Sequence, residues 1–213
     1  MLINLPRWEF IFESHIRTMN ITDPAHDLLH FRRVVALAKI LCEQEQAQAE
    51  IVIPAAWLHD FIIIPKDSPD RKIASKLAAK AATNFLNHHE YPPQFIPDIA
   101  HAIEAHSFSA KIIPLTIEAK VVQDADRLDA LGAIGIARCF ALAGVMGRPF
   151  YDAQDPFCKS HQPDDTRHTL DHFYAKLLNL VDSLQTKSGQ QEGAKRTDFM
   201  KTYLQQLSSE LLN

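Results

Sequence analysis

Apolar positions that recur every three or four residues dominate this chain, and almost nowhere do they alternate in twos. The clearest run is Leu170, Phe173, Leu177, Leu180 and Leu184, the spacing of one helix face. Met200, Leu204, Leu207 and Leu211 repeat it near the C-terminus, after a polar break around Ser188-Gly189. Earlier, Trp8, Ile11, Phe12, Ile16 and Met19 predict a short helix over 7–20. Asp23-Pro24 is a helix start signal, and Phe31, Val34, Leu37, Ala38 and Leu41 form the buried stripe of a helix reaching about Gln46. Residues 51–61 read as a buried helix that ends on His59-Asp60. Ile62-Ile63-Ile64-Pro65 and Lys66-Asp67-Ser68-Pro69 predict a loop. Helices follow from Ser68-Pro69-Asp70 to about Asn87 and over 95–107, then one long apolar segment from Thr116 to about Ala143. In that segment Gly132 and Gly135 are expected to allow close packing against a neighbouring helix. Residues 144–165, rich in Gly, Pro and Asp, predict a long loop. The fold class expected is all-α.

With 213 residues, the chain suits one domain. The expectation is a single domain over 1–213, with a core at about 20–145 and a helical extension at about 146–213. A net charge of −4 gives no basic footprint for nucleic acid. Cys42, Cys139 and Cys158 are scattered, without a C-x-x-C pair, which points to reduced thiols and a cytoplasmic setting. No apolar run approaches the ~20 residues of a membrane helix, so neither a membrane nor a nucleic acid is an expected partner. Monomer and homodimer both remain open. Eleven histidines are the compositional oddity, and they lead to the chemistry.

Three distant segments set His or Asp among apolar neighbours: His26-Asp27-Leu28-Leu29-His30, Trp57-Leu58-His59-Asp60-Phe61 and Gln123-Asp124-Ala125-Asp126. A buried charge is costly unless it is paired or binds a metal, and one metal-centred site would account for all three. His26 and His30 share a helix face, so His30 is the ligand candidate, with His26 or Asp27 in support. Adjacent helical residues point about 100° apart, so His59 and Asp60 reach one ion only beyond a helix end. Of Asp124 and Asp126, one faces the ion. Imidazole and carboxylate ligands suit a divalent ion with open positions, Mn²⁺ foremost, with Fe²⁺, Co²⁺, Ni²⁺ or Mg²⁺ as substitutes. A closed structural zinc site is disfavoured there, because no cysteine is placed to join.

The ordered set His30…His59-Asp60…Asp126 resembles the H…HD…D pattern of the HD-domain metal-dependent phosphohydrolases. The blocks His26-Asp27-x-x-His30-Phe31-Arg32-Arg33-Val34, Ala105-His106-Ser107-Phe108-Ser109 and Gln123 to Gly135 are similar to one bacterial single-domain branch. So are Pro65 to Pro69, Asp155-Pro156-Phe157 and Asp171-His172-Phe173. The resemblance implies an all-helical bundle with a five-helix catalytic core and additional C-terminal helices. It implies that His30, His59, Asp60 and Asp126 hold one divalent ion, with Asp124 as a supporting neighbour. The activity implied is hydrolysis of a nucleotide phosphoester or phosphoanhydride, including release of pyrophosphate from nucleoside triphosphates. The rival reading is a metal- and nucleotide-binding sensor without turnover.

One departure stands out. Many of these hydrolases carry a water-orienting carboxylate shortly after the HD pair, whereas this chain has Phe61-Ile62-Ile63-Ile64. Asp27, Glu104 and His106 are the candidates for that work, with Asp60 catalytic as well as a ligand. Phosphate oxygens need cationic donors, and Lys66, Arg71, Arg33 and Arg127 are the substrate-binding candidates. His88, His89, His161, His168 and His172 are expected on the surface.

Overall fold

A computed structural model describes residues 3–19, 27–62 and 72–211. Its helices are α1 (Leu5–Thr18), α2 (Leu28–Gln44), α3 (Ala49–Leu58), α4 (Ala74–His88), α5 (Ile96–His106), α6 (Ile117–Leu128), α7 (Gly132–Val145), α8 (Asp171–Ala175) and α9 (Lys187–Leu211). No strand occurs among the described residues. Among the described residues no single helix is long and apolar enough to cross a membrane. The chain divides into two compact units, Met1–Asp126 with Gln185–Gly189, and Arg127–Leu184 with Gln190–Asn213.

The first unit is organised around α3. Every residue from Ile51 to Leu58 is buried, which a helix tolerates only when it is surrounded, and α1, α2 and α5 pack against it. Phe12 and Ile16 from α1, Phe31, Val34 and Ala38 from α2, and Ile99 and Ile103 from α5 are 0–1% exposed and supply the walls. Two of the polar groups taken inside are paired: Tyr91 Oη donates to the Glu50 carbonyl (2.6 Å), and Trp57 Nε1 to Glu9 Oε2 (3.2 Å). The start signal at Asp23-Pro24, the loop at Ile63–Pro69 and the Ser68–Asp70 helix start fall outside the described residues. Within them, α2 is capped by Asp27, whose carboxylate accepts from the His30 N–H at 2.9 Å.

Three sequence expectations change. The apolar segment 116–143 is not one helix, because the chain leaves helical geometry at Asp129–Leu131. Gly132 restarts it at φ +73°, a conformation that disfavours a side chain. A Cβ on Gly135 would collide with the Ala130 carbonyl. These glycines therefore serve the break, and Gly132 also seats the Arg196 side chain in the second unit. The stripe from Leu170 to Leu184 is a short α8 followed by a 3₁₀ stretch, Leu177–Ser183. Leu177 and Leu180, three apart, fit a three-residue turn as well as a 3.6-residue one, so spacing alone could not separate them. The polar Ser188-Gly189 lies inside α9 and marks a helix start. Thr186 Oγ1 accepts from the Gly189 N–H at 3.0 Å, as an N-cap does.

Within the first unit, that start is fastened by Asp124, which is 0% exposed. Its Oδ2 accepts from the Thr186 N–H and Oγ1, both at 2.7 Å, and its Oδ1 from the Gln185 N–H at 2.9 Å. Gly189 has no Cβ to obstruct the carboxylate. Asp124→Ala would leave buried donors unsatisfied and should cost about 3 kcal/mol, read as a lower urea midpoint. Asp124→Asn should recover part of that loss.

In the second unit, Phe140, Phe150, Phe173 and Tyr203 form an aromatic cluster, with Phe173 and Tyr203 stacked at 6.3 Å. The backbone N–H groups of Thr169 and Leu170 donate to the carbonyls of Pro149 and Phe150, at 2.9 and 2.8 Å. These bonds close the neck of the loop between them.

Candidate metal centre

Four elements of the first unit deliver the site. α2 presents His30 one turn after its cap, and α3 ends with His59 at its C-cap and Asp60 in the turn beyond. The helix end resolves the 100° problem, since Asp60 has already left the helix. α5 ends on His106, and α6 brings Asp126. Gln123 Nε2 donates to the Ala105 carbonyl at 2.6 Å, fixing α6 to the end of α5.

The ligand atoms converge. His30 Nε2 and His59 Nε2 are 3.2 Å apart, and Asp126 Oδ1 lies 3.6 Å from the first and 3.9 Å from the second. Asp60 Oδ2 is 3.5 Å from His59 Nε2, and Asp60 Oδ1 is 3.4 Å from His106 Nε2. Both His30 and His59 are 0% exposed, while the side chains of Asp60 and Asp126 keep 26% and 28% of their surface. The imidazoles thus close the inner side and the carboxylates open outward.

Tautomers follow from the second ring nitrogens. His59 Nδ1 lies 2.9 Å from the Ala56 carbonyl, which can only accept, so Nδ1 carries the proton and Nε2 a lone pair. His106 repeats the arrangement, with Nδ1 donating to the Ile103 carbonyl at 2.6 Å. Burial, partly offset by Asp60 and Asp126, pushes the His59 pKa down to about 4, so this ring is neutral at pH 7. Burial also opposes charge on His106, but the hydrogen bond and charge of Asp60, with Asp126, hold its pKa above the ordinary histidine value. For Asp126, burial raises the pKa while His59, His30 and His106 lower it, and the net direction is down. Two imidazole nitrogens facing each other with carboxylates alongside form a donor set that a divalent ion fits. The backbone-anchored Nδ1 protons are the usual support of ligating histidines.

The remaining candidates separate. Asp27 spends its carboxylate on the α2 cap. Glu104 is half-buried two residues before His106, and His101 accepts from the Leu115 N–H at 3.0 Å. Arg33 is half-buried on α2. Arg127 Nη1 donates to the Ser183 carbonyl at 2.5 Å within the second unit. His26, Lys66 and Arg71 lie outside the described residues. Asp124, expected as a supporting neighbour, turns to residues 185–186 instead, because residues two apart on a helix face nearly opposite ways. Three of the histidines expected on the surface are half-buried. His161 and His172 make carboxylate contacts at 2.7–3.1 Å, and the His168 side chain is only 15% exposed.

The HD-domain family model matches residues 28–131, which include all five convergent residues. The chain is 34% identical to the uncharacterized protein YpgQ of Bacillus subtilis (strain 168) over 190 residues, 87% of this chain and 84% of YpgQ. This chain belongs to the HD-domain metal-dependent phosphohydrolases. The crystal structure of YpgQ in complex with ADP superposes with a TM-score of 0.74 at 34% identity, covering 95% of this chain and 97% of YpgQ. An HD-superfamily hydrolase from Bacillus thuringiensis gives 0.73 at 32% identity, with 97% and 95% covered. The all-α bundle with added C-terminal helices is that of these HD hydrolases.

Two outcomes test the assignment of parts. His59→Ala should lower divalent-metal content of the purified HD protein by about one ion per chain, by elemental analysis. Asp27→Ala should cost about 1 kcal/mol of stability through the lost cap and leave metal content unchanged, whereas Asp27→Asn should melt like wild type.

Proposed function

We propose that this enzyme hydrolyses a phosphoanhydride bond in a nucleotide, with nucleoside triphosphates as the substrate class and pyrophosphate as the leaving group. The observation that carries the reading is the cluster of His30, His59 and Asp60, whose ligand atoms lie within 4.8 Å of one another, with Asp126 Oδ1 3.6 and 3.9 Å from the two imidazoles. ADP bound to YpgQ supports a nucleotide ligand. His30, His59, Asp60 and Asp126 would hold the ion, with Mn²⁺ as the preferred metal. A bound divalent ion supplies Lewis acidity toward phosphoryl oxygens and a lowered pKa for water.

The chain's own groups do the rest. Asp60 is bonded on one oxygen to His106 and faces His59 with the other, so it fixes both rings. His106, anchored at Nδ1 and inclined to keep its Nε2 proton beside Asp60, is placed to pass that proton to a leaving phosphate oxygen or to orient water. This gives the proton-handling work to α5 in a chain whose Phe61-Ile62 supplies no carboxylate. Arg33, one turn past His30, with Lys66 and Arg71 after the His59-Asp60 pair, would neutralise the phosphates. Arg127, already bonded to Ser183, has the weaker claim. All three cysteines are free, which fits a cytoplasmic setting.

The test is a nucleotide panel with Mn²⁺, assayed for phosphate and pyrophosphate. Wild type should turn over at least one nucleoside triphosphate, and Asp126→Ala should abolish it. His106→Ala should lower kcat about 100-fold with little change in KM. Ligand binding without any product would overturn the reading in favour of a sensor.

A further inference from the structure

A second constellation sits in the other unit, inside the loop closed at Pro149–Leu170. Cys158 Sγ, a ring nitrogen of His161 and a carboxylate oxygen of Asp171 lie within 4.8 Å of one another. His161 and Asp171 line a cavity of about 510 Å³ whose wall also holds Asp152, Asp155, Arg167 and His168. The loop is tightly specified. Asp155 accepts from the N–H groups of Lys159 (2.9 Å) and Ser160 (2.7 Å), and Cys158 is held at φ +51°.

The hydrogen bonds orient this group as a ligand set is oriented. His161 Nδ1 lies 3.0 Å from Asp155 Oδ2, and its Nε2 is turned to Asp171 Oδ2 at 3.1 Å. A carboxylate on the far ring nitrogen is the usual support of a metal-bound histidine. Asp171 is 0% exposed. Its Oδ2 also accepts from the Asp164 N–H at 2.8 Å, but its Oδ1 is buried and has no hydrogen-bond partner. The nearest imidazole nitrogen, His168 Nδ1, is 3.9 Å from it. A buried carboxylate oxygen left unpaired is costly. A histidinium clasped between Asp155 and Asp171 would explain the bonds of His161 but not the buried Oδ1. The Cys158 thiol is itself hydrogen-bonded to the Asp171 carboxylate, so sulfur, imidazole and carboxylate already form one connected group.

We propose that Cys158, His161 and Asp171 form a second metal site, for a borderline-soft divalent ion of the Zn²⁺ class, with His168 across the cavity as the fourth position. Sulfur, imidazole and carboxylate are the ligands zinc takes, and a tetrahedral set places them ~3.5 Å apart, inside the 4.8 Å that spans the three groups here. Burial first, then the charge and hydrogen bond of Asp171 and the charges of Asp155 and Asp152, push the Cys158 thiol up to about 12. A divalent cation is the ligand that would offset those charges and bind the sulfur as thiolate. The ion would pin the loop to the start of α8. No residue of the His30–Asp126 cluster contributes, so this site and the phosphohydrolase reading can fail separately.

The probe is Co²⁺ added to the purified full chain, because a thiolate ligand gives a near-ultraviolet charge-transfer band that the sulfur-free HD cluster cannot. Wild type, Cys42→Ser and Cys139→Ser should show the band, and Cys158→Ser should lose it. Asp155→Asn should weaken Co²⁺ affinity at this band roughly 10–100-fold. Zn²⁺ should abolish the band and protect Cys158 of wild type from alkylation by iodoacetamide, a readout that needs no variant to fold. Absence of the band in wild type, its survival in Cys158→Ser, or alkylation of Cys158 unaffected by Zn²⁺ would each overturn the proposal.

Discussion

Two imidazole nitrogens 3.2 Å apart, each on a ring fully out of solvent, are the constraint around which the first unit is built. His59 carries its proton on Nδ1, so its Nε2 lone pair points toward His30 and away from water, and burial keeps this ring neutral. A protein interior accepts such groups when something cationic satisfies them, and Asp60 and Asp126 bring the negative charge that a divalent ion would balance. The apolar surround and the polar centre are thus one feature: α3 is buried along its length so that its end can present His59 and Asp60 together.

Anchoring is the second theme. His59 and His106 are each fixed through Nδ1 to a carbonyl three residues back on their own helix, so ring orientation is set by the helix end itself. Asp27 caps the helix that carries His30, and Gln123 ties the helix that carries Asp126 to the one that carries His106. A site held this way is preorganised, which is what electrostatic stabilisation of a phosphoryl group needs.

Much of this was legible in the chain, and the failures have physical reasons. The His30…His59-Asp60…Asp126 order and the family resemblance pointed to one centre, and the geometry of adjacent helical residues required a helix end at His59. Asp124 was misplaced because periodicity says which face a carboxylate occupies but not which partner waits there, and its partners lie sixty residues on. The break after Leu128 was hidden because Gly132 and Gly135 read equally well as packing residues. The cluster at Cys158, His161 and Asp171 left no periodic signal, being assembled by a loop whose closure depends on two backbone bonds at its neck. The hints available were the family-like blocks Asp155-Pro156-Phe157 and Asp171-His172-Phe173 and a lone cysteine between them, none of which says that the three side chains meet.

The central claim is that the first unit's imidazoles and carboxylates surround a cation. Anomalous diffraction from crystals grown with Mn²⁺ addresses it most directly. The account predicts a manganese peak bounded by His30 Nε2, His59 Nε2, Asp60 and Asp126. A map with no peak there, and the two imidazoles instead bonded directly to each other, would contradict it.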